Sequence, residues 1–296
     1  MSRATSASSG KSFGLALVCR VWDMPRSTVY WRRRLPGGQP RRRGPQGFHS
    51  DAELADHIRS VLMDSPFTGE GYRKVWAMLR DRDVRTSQAR TLRIMRENNL
   101  LAHKRPGRPH GPKAHDGTIK TQRVDEMWGT DMTTTLTLAE GNASIFFAVD
   151  HCSLECVGIH AAKRGTRLEA LEPIRQGVRH SFGAFGKGVA SGLTLRHDHG
   201  SQFIADDFQT EIQFLGIKDS ASFVREPQGN GIAERFVRIL KENLLWVQGF
   251  KTVEELRQGL HAFKETYNRL WRVGRHGYKT PTQVRERQQP AMGKAA

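Results

Sequence analysis

Cysteine is scarce in this chain: Cys19, Cys152 and Cys156 are too few, and odd in number, for a disulfide framework. A reducing compartment is the expectation. No apolar run approaches the roughly 18 residues of a membrane span, and the Ser/Ala-rich Met1–Gly10 stretch lacks the apolar segment of a secretory signal. Acidic residues are the other shortage, with 30 Asp and Glu against 47 Lys and Arg and a net charge of +17. A surface so basic repels itself unless a polyanion binds it, which makes nucleic acid the expected partner. The imbalance is uneven: residues 1–122 hold 24 basic against 10 acidic side chains, and residues 123–296 hold 23 against 20. A binding half and a half with another task are implied. With 296 residues and 37% hydrophobic content, two or three domains and a sizeable core are within reach.

The basic half divides at runs of Pro, Gly and Arg. Residues 1–48 read as a helix-turn-helix-like segment and a basic linker: Gly14–Val21 and Arg26–Arg34 are short helices joined through Asp23-Met24-Pro25. Asp23 stands where glycine is more usual, and Arg26, Ser27 and Thr28 would face DNA. Residues 49–102 form a second helical unit, with helices predicted over 51–63, 72–82 and 86–98 and N-caps at Ser50 and Thr86. Its last helix would turn Gln88, Arg90, Arg93 and Arg96 outward, toward DNA or solvent. Residues 103–122 are a basic linker able to follow phosphates.

From Val124 the period changes to that of strands. Strands are predicted over 127–137, 143–150, 155–160, 192–196 and 217–220, with a Gly141-Asn142 hairpin turn and helices over 167–182 and 203–215. Three meandering strands followed by helix–strand alternation indicate an α/β fold, a five-stranded mixed sheet of the ribonuclease-H type, over residues 123–248. A C-terminal helix, predicted over 252–271, and a basic tail complete the chain as residues 249–296.

Three acids stand out within this half. Asp131 lies inside the first strand, where an unpaired charge is expensive. Asp198 ends the fourth strand, beside Gly200, at the strand end where ligands gather in α/β sheets. Glu234 opens a helix whose Ala233, Phe236, Val237, Leu240 and Leu244 make an apolar stripe, with Arg238 and Lys241 on the same flank; Asn230 is its expected cap. Alone, Glu234 and Arg238 read as an ordinary surface pair. Together, three carboxylates from two strands and a helix are the oxygen ligands two hard divalent cations require. Asp150, ending the second strand, offers itself as a fourth ligand, but reads as structural in preference. Cys152, Cys156 and His160 fall about 13 Å apart along an extended strand, too far for a zinc site.

The combination Trp128-x-x-Asp131, His197-Asp198-x-Gly-Ser-Gln-Phe203 and Gly229-Asn-Gly-x-Ala-Glu234, with 35 residues between Asp198 and Glu234 and Lys241 seven positions on, resembles the DDE motif of retroviral-integrase-like transposases. With Gly71-Tyr72-Arg73, Tyr267-Asn268 and Gly277-Tyr-Lys-Thr-Pro281, the chain is similar to OrfB, the long second-frame product of bacterial insertion sequences. His199 departs from that pattern at a position that is not a ligand. The resemblance implies a transposase that cuts and joins the ends of its own element. Asp131, Asp198 and Glu234 would hold two Mg²⁺ ions, or Mn²⁺ in their place. Lys241, with Asn230 in second rank, would touch DNA near the scissile phosphate. It also implies double-stranded DNA partners (terminal inverted repeats and a target), a homo-multimer, fusion or association with an upstream reading-frame product, no membrane, and a place in the bacterial cytoplasm on the nucleoid. Two rivals stand beside it: a catalytically silent DNA-binding protein or regulator descended from such an enzyme, and a nuclease of RNA–DNA hybrids.

Overall fold

The computed structural model describes residues 4–33, 48–103, 119, 121–221 and 230–288. The chain divides into two compact units, 1–48 and 49–296. In the first unit, α1 (Leu15–Val21) and α2 (Arg26–Arg33) are joined by a turn in which Asp23 takes φ 46°. That left-handed conformation is the reason a glycine was expected there. Arg26 and Ser27 are exposed and Thr28 half-buried. The basic run 40–45 lies outside the described residues.

In the second unit, α3 (Asp51–Asp64), α4 (Tyr72–Asp81) and α5 (Gln88–Glu97) close around Leu54, Ile58, Val61, Val75, Leu79, Ile94 and Met95. Ser50 and Glu53 make a reciprocal capping box, with bonds of 3.2 and 2.7 Å. The cap of α5 is Ser87 rather than the expected Thr86, because the Ser87 hydroxyl accepts the Arg90 N–H at 3.1 Å. Nearly all of the 103–122 linker lies outside the described residues.

The sheet has the order β3-β2-β1-β4-β5, from β1 (Met127–Thr137), β2 (Gly141–Asp150), β3 (Cys156–Ala162), β4 (Thr194–His197) and β5 (Lys218–Ala221). β1, β2 and β3 are antiparallel; β4 and β5 join β1 in parallel. This is the ribonuclease-H-like arrangement. The first hairpin turns through residues 138–140, with Gly141 at φ 77° opening β2, so Gly141-Asn142 belongs to the strand. Residues 151–154 are a turn, and the third strand starts one residue later than expected.

One face of the sheet carries α6 (Arg167–Phe182), α7 (Ser201–Ile204) and α8 (Asp206–Phe214); the expected single helix over 203–215 breaks at Ala205. Trp128, Phe146, Ala148, Leu195, Phe203 and Phe208 fill that side. The other face carries α9 (Gly231–Leu240) and α10 (Val253–Leu270), packed through Phe236, Leu240, Leu256 and Tyr267 onto Ile145, Phe147 and Val149. A helix not anticipated from the sequence, α11 (Pro281–Gln288), buries Arg285 between Asp125 and Glu155.

Candidate active site

Side chains alternate along a strand, and in β1 this alternation separates two chemistries. Trp128 and Met132 pack toward α6 with Phe146 and Ala148. Asp131, paired with Phe147, and Gly129, paired with Val149, face α9. Register then brings the second acid to the first. Gly129 stands opposite Arg196 in the parallel β1–β4 ladder. Asp131 lies two residues further along β1 and Asp198 two residues past Arg196, just beyond the end of β4, so both acids lie past the same end of the pairing between two neighbouring strands. The β1–β4 ladder ends at the Gly129–Arg196 pair and β4 itself at His197, one residue before Asp198, whose carboxylate accepts the Gly200 N–H at 2.9 Å.

The third acid arrives with α9. Asn230 is the N-cap residue by position, but its side chain caps nothing. It turns inward, and Nδ2 donates at 3.1 Å to the carbonyl of Thr130, the residue before Asp131. This corrects both expectations for Asn230: the amide is buried, so it faces the strand rather than the helix or DNA. Glu234, one turn on, is exposed on the helix flank and makes no ion pair with Arg238 among the described residues. The glycine-broken entry to this helix, Arg225–Gly229, lies outside the described residues. Lys241 starts a π-helical turn, Lys241–Leu245, in which the Trp246 N–H reaches the Lys241 carbonyl at 2.9 Å. Single π turns inside helices cluster at functional sites.

Electrostatics links the four groups. Burial is the main cause that pushes the Asp131 carboxyl up to about 6, and the negative charges of Asp198 and Glu234 add to it. The Met132 N–H at 2.7 Å and the charge of Lys241 pull the other way. Among the described residues no three His, Cys, Asp or Glu side chains stand close enough to hold one ion. The carboxylates therefore share one field without being closed on a common point, since fields of like charge reach further than ligand bonds. The residues fit divalent cations by chemistry: all donors are hard oxygens, and the ionisation of Asp131 is opposed by what a cation would relieve.

A polar cluster behind Asp131 was not legible in the sequence. A Cβ on Gly129 would stand 2.9 Å from His151 Nε2 and 3.2 Å from Asn230 Oδ1. Both His151 ring nitrogens and Asn230 Oδ1 are buried without a hydrogen-bond partner. Only glycine lets the start of α9 and the β2–β3 turn approach β1 so closely. Burial, then the charges of Arg196 and Arg275, hold the His151 imidazole down at about 4.

Asp150 is structural: its carboxylate accepts from Ser153 N and Oγ at 2.6 and 2.7 Å and from Asp125 N at 2.9 Å. Cys152 and Cys156 point to the carbonyls of Gln122 and Gly158, and His160 pairs with Glu169 at 2.6 Å, so no soft-metal site forms. His197 is buried against Phe203 and meets Asp219 at 2.6 Å, away from the acids. Arg90 and Arg93 are not turned freely outward. Both grip Asp51, at 2.8 and 2.7 Å, and Arg93 also holds Glu97, because the start of α3 lies across them. Arg96 is exposed and Gln88 half-buried. Tyr267 and Asn268 are architectural: the tyrosine hydroxyl donates to Leu154 O, and the asparagine amide clamps the N–H and carbonyl of Cys156 at 2.9 Å each.

Comparison with known proteins adds two family profiles, an integrase core domain over residues 215–281 and an HTH-like domain over residues 49–108. The transposase InsD for insertion element IS2A/D/F/H/I/K of Escherichia coli is 27% identical over 278 residues, covering 92% of this chain and 90% of that one. The InsD of IS2-9 from strain K12 is likewise 27% identical, covering 92% and 89%. Among solved structures, the catalytic core domain of BIV integrase is 24% identical over 56% of this chain and 96% of that chain, with a TM-score of 0.42. The HTLV-2 integrase core in complex with magnesium is 19% identical over 56% and 99%, also at 0.42.

Proposed function

The chain belongs to the OrfB-type transposases of bacterial insertion sequences, DNA transposases with a DDE-type polynucleotidyl transferase core, and from that premise we propose that Asp131, Asp198 and Glu234 are its catalytic carboxylates. The integrase-core family is divalent-metal dependent. Asp131, Asp198 and Glu234 would hold the cations, with Asp131 as the acid that both would share. When bound, two Mg²⁺ ions, or Mn²⁺, supply the Lewis acidity that activates a water or 3′-hydroxyl and offsets charge on the leaving 3′-oxygen.

The chain's own residues hold and aim the DNA. Lys241 sits on the same helix as Glu234 and lies within the field of Asp131, which suits a contact to the phosphate flanking the scissile bond. Asn230 fixes the start of α9 to β1 through the Thr130 carbonyl and so holds Glu234 near Asp131. Arg26, Ser27, Thr28, Gln88 and Arg96 are predicted DNA-contact side chains that stay exposed or half-buried and outside ion pairs among the described residues; they would grip the terminal repeats. Domain limits at 48, 102, 122 and 248, a homo-multimer that pairs two ends, association with an upstream-frame product and residence on the nucleoid belong to the same proposal.

The observation that supports it is that Asp131 and Asp198 follow the last paired residues of the adjacent strands β1 and β4, with α9 pinned to the residue before Asp131 and the charges of Asp198 and Glu234 felt at Asp131. The test is Mg²⁺-dependent nicking and joining of DNA bearing the element's ends. Asp131→Asn and Glu234→Gln should each abolish both reactions while leaving end binding intact. Unchanged activity in either variant would sink the assignment, and cleavage of RNA–DNA hybrids with no preference for the ends would favour the nuclease alternative.

A further inference from the structure

A basic cleft whose lining includes none of the three acids lies where α4 meets the segment that follows α10. There an open cleft of about 890 Å³ is bounded by α4, the first residue of α5 and residues 272–287. Trp76 forms its floor, and its indole N–H is fixed to the Thr86 carbonyl at 2.8 Å. Tyr278 closes on it edge-to-face, with centroids 6.0 Å apart. Tyr278 adopts φ 66° directly after Gly277 at φ 64°, a left-handed pair rare for an aromatic residue, and this turn aims the ring at Trp76.

The charges of the cleft are unequal. Arg272 is neutralised by Asp81 at 2.6 Å. Arg80 lies 5.0 Å over the Trp76 ring, which holds its guanidinium at the rim without neutralising it. Arg80, Lys279 and Arg287 make no ion pair among the described residues, and Glu286 is the one acid left among the lining residues to oppose them. Gln88, at the head of α5, lines the same cleft, so it is continuous with the helix whose exposed side chains are expected to meet DNA. A small apolar ligand does not suit a cleft with so many cations. A linear polyanion does, because each unpaired cation can take one phosphate in turn.

We propose that this cleft is a DNA-backbone site, in which Arg80, Lys279 and Arg287 take consecutive phosphates of duplex DNA leaving the HTH-like unit. The site rests on the chain being a DNA-binding transposase, but it is independent of the catalytic carboxylates. Its role is to carry the duplex from α5 across the joint with the C-terminal segment, gripping phosphates so as to position DNA without reading its sequence.

The test uses the full chain and a labelled mixed-sequence duplex, with affinity measured across a salt series. The slope of log K against log salt falls by about 0.9 for each phosphate that the protein no longer neutralises. The double variant Arg80→Gln/Arg287→Gln, both exposed, should lower the slope magnitude by about 1.8. The double variant Arg80→Lys/Arg287→Lys should keep it, which separates removal of charge from failure to fold. Lys187→Gln/Lys218→Gln, exposed elsewhere on the molecule, should leave it unchanged. Equal slope changes in the cleft and control variants, or no change in the cleft variant, would overturn the site while leaving DNA binding in place. An unaltered chain that binds no duplex at all would remove the DNA-binding premise and the site together.

Discussion

Successive residues of β1 face opposite environments, and the contrast explains where this protein can do chemistry. Toward α6 the strand presents Trp128 and Met132 to a core of Phe146, Ala148, Phe203 and Phe208. Toward α9 it presents Gly129 and Asp131, backed by His151 and Asn230 with three buried polar atoms lacking partners. Unpartnered polar groups are costly in a low-dielectric interior and concentrate where function needs them. One side of the strand stabilises the fold; the other places that stability under load.

The largest effect should come from the apolar side. Phe146→Ala is expected to cost about 3–5 kcal/mol, read from chemical denaturation. A cost below about 1 kcal/mol would mean the α6 face is not the main support. On the other side, Gly129→Ala should cost about 1–3 kcal/mol, because the new methyl meets His151 Nε2 and Asn230 Oδ1. Nicking of end-bearing DNA should fall by more than that destabilisation explains, since α9 is pushed from β1; equal losses would reduce Gly129 to a packing residue.

Asp131→Asn should act in the opposite direction on stability. The folded carboxyl, raised to about 6 from 3.8, binds a proton more tightly than the unfolded one, so its ionisation destabilises the fold. That penalty grows as pH rises from about 4 and is complete above about 6, reaching at most about 3 kcal/mol. In metal-free buffer at neutral pH the variant should melt higher than the parent, and added Mg²⁺ should raise the melting temperature of the parent only. A lower melting temperature for Asp131→Asn would argue that the carboxylate is satisfied without a cation. The smallest effect belongs to His151. Its folded value near 4 lies below the ordinary 6.5, so stability is lost as pH falls through that window, by about 1 kcal/mol between pH 7 and 5.5. His151→Gln should flatten that part of the pH–stability curve, and an unaltered curve would exclude His151 as its source.

Much of this contrast was legible in the sequence. Alternation and turn signals outlined the strands, and the spacing of Asp131, Asp198 and Glu234 singled out the acids, because local periodicity is carried residue by residue. What escaped notice depended on neighbours far apart in the chain. Asn230 looked like a helix cap from its type and place, but a carbonyl 100 positions away offered a better partner than its own helix. Arg90 and Arg93 looked free until α3 laid Asp51 across them. Arg285 stood in what read as a basic tail, although Asp125 and Glu155 bury it and make that segment part of the core.

The sequence by itself determined the basic charge, the order of the five strands, and which acids could serve, because charge, periodicity and residue type are local properties. Tertiary structure alone decided that Asp131 and Asp198 lie past the same end of the pairing between β1 and β4, and that α9 is tied to β1 by Asn230. It also decided that α4 and the 272–287 segment enclose a cationic cleft. Each of these requires residues far apart in the chain to meet, and the packing of the whole sheet, rather than any local preference, supplies the free energy that brings them together.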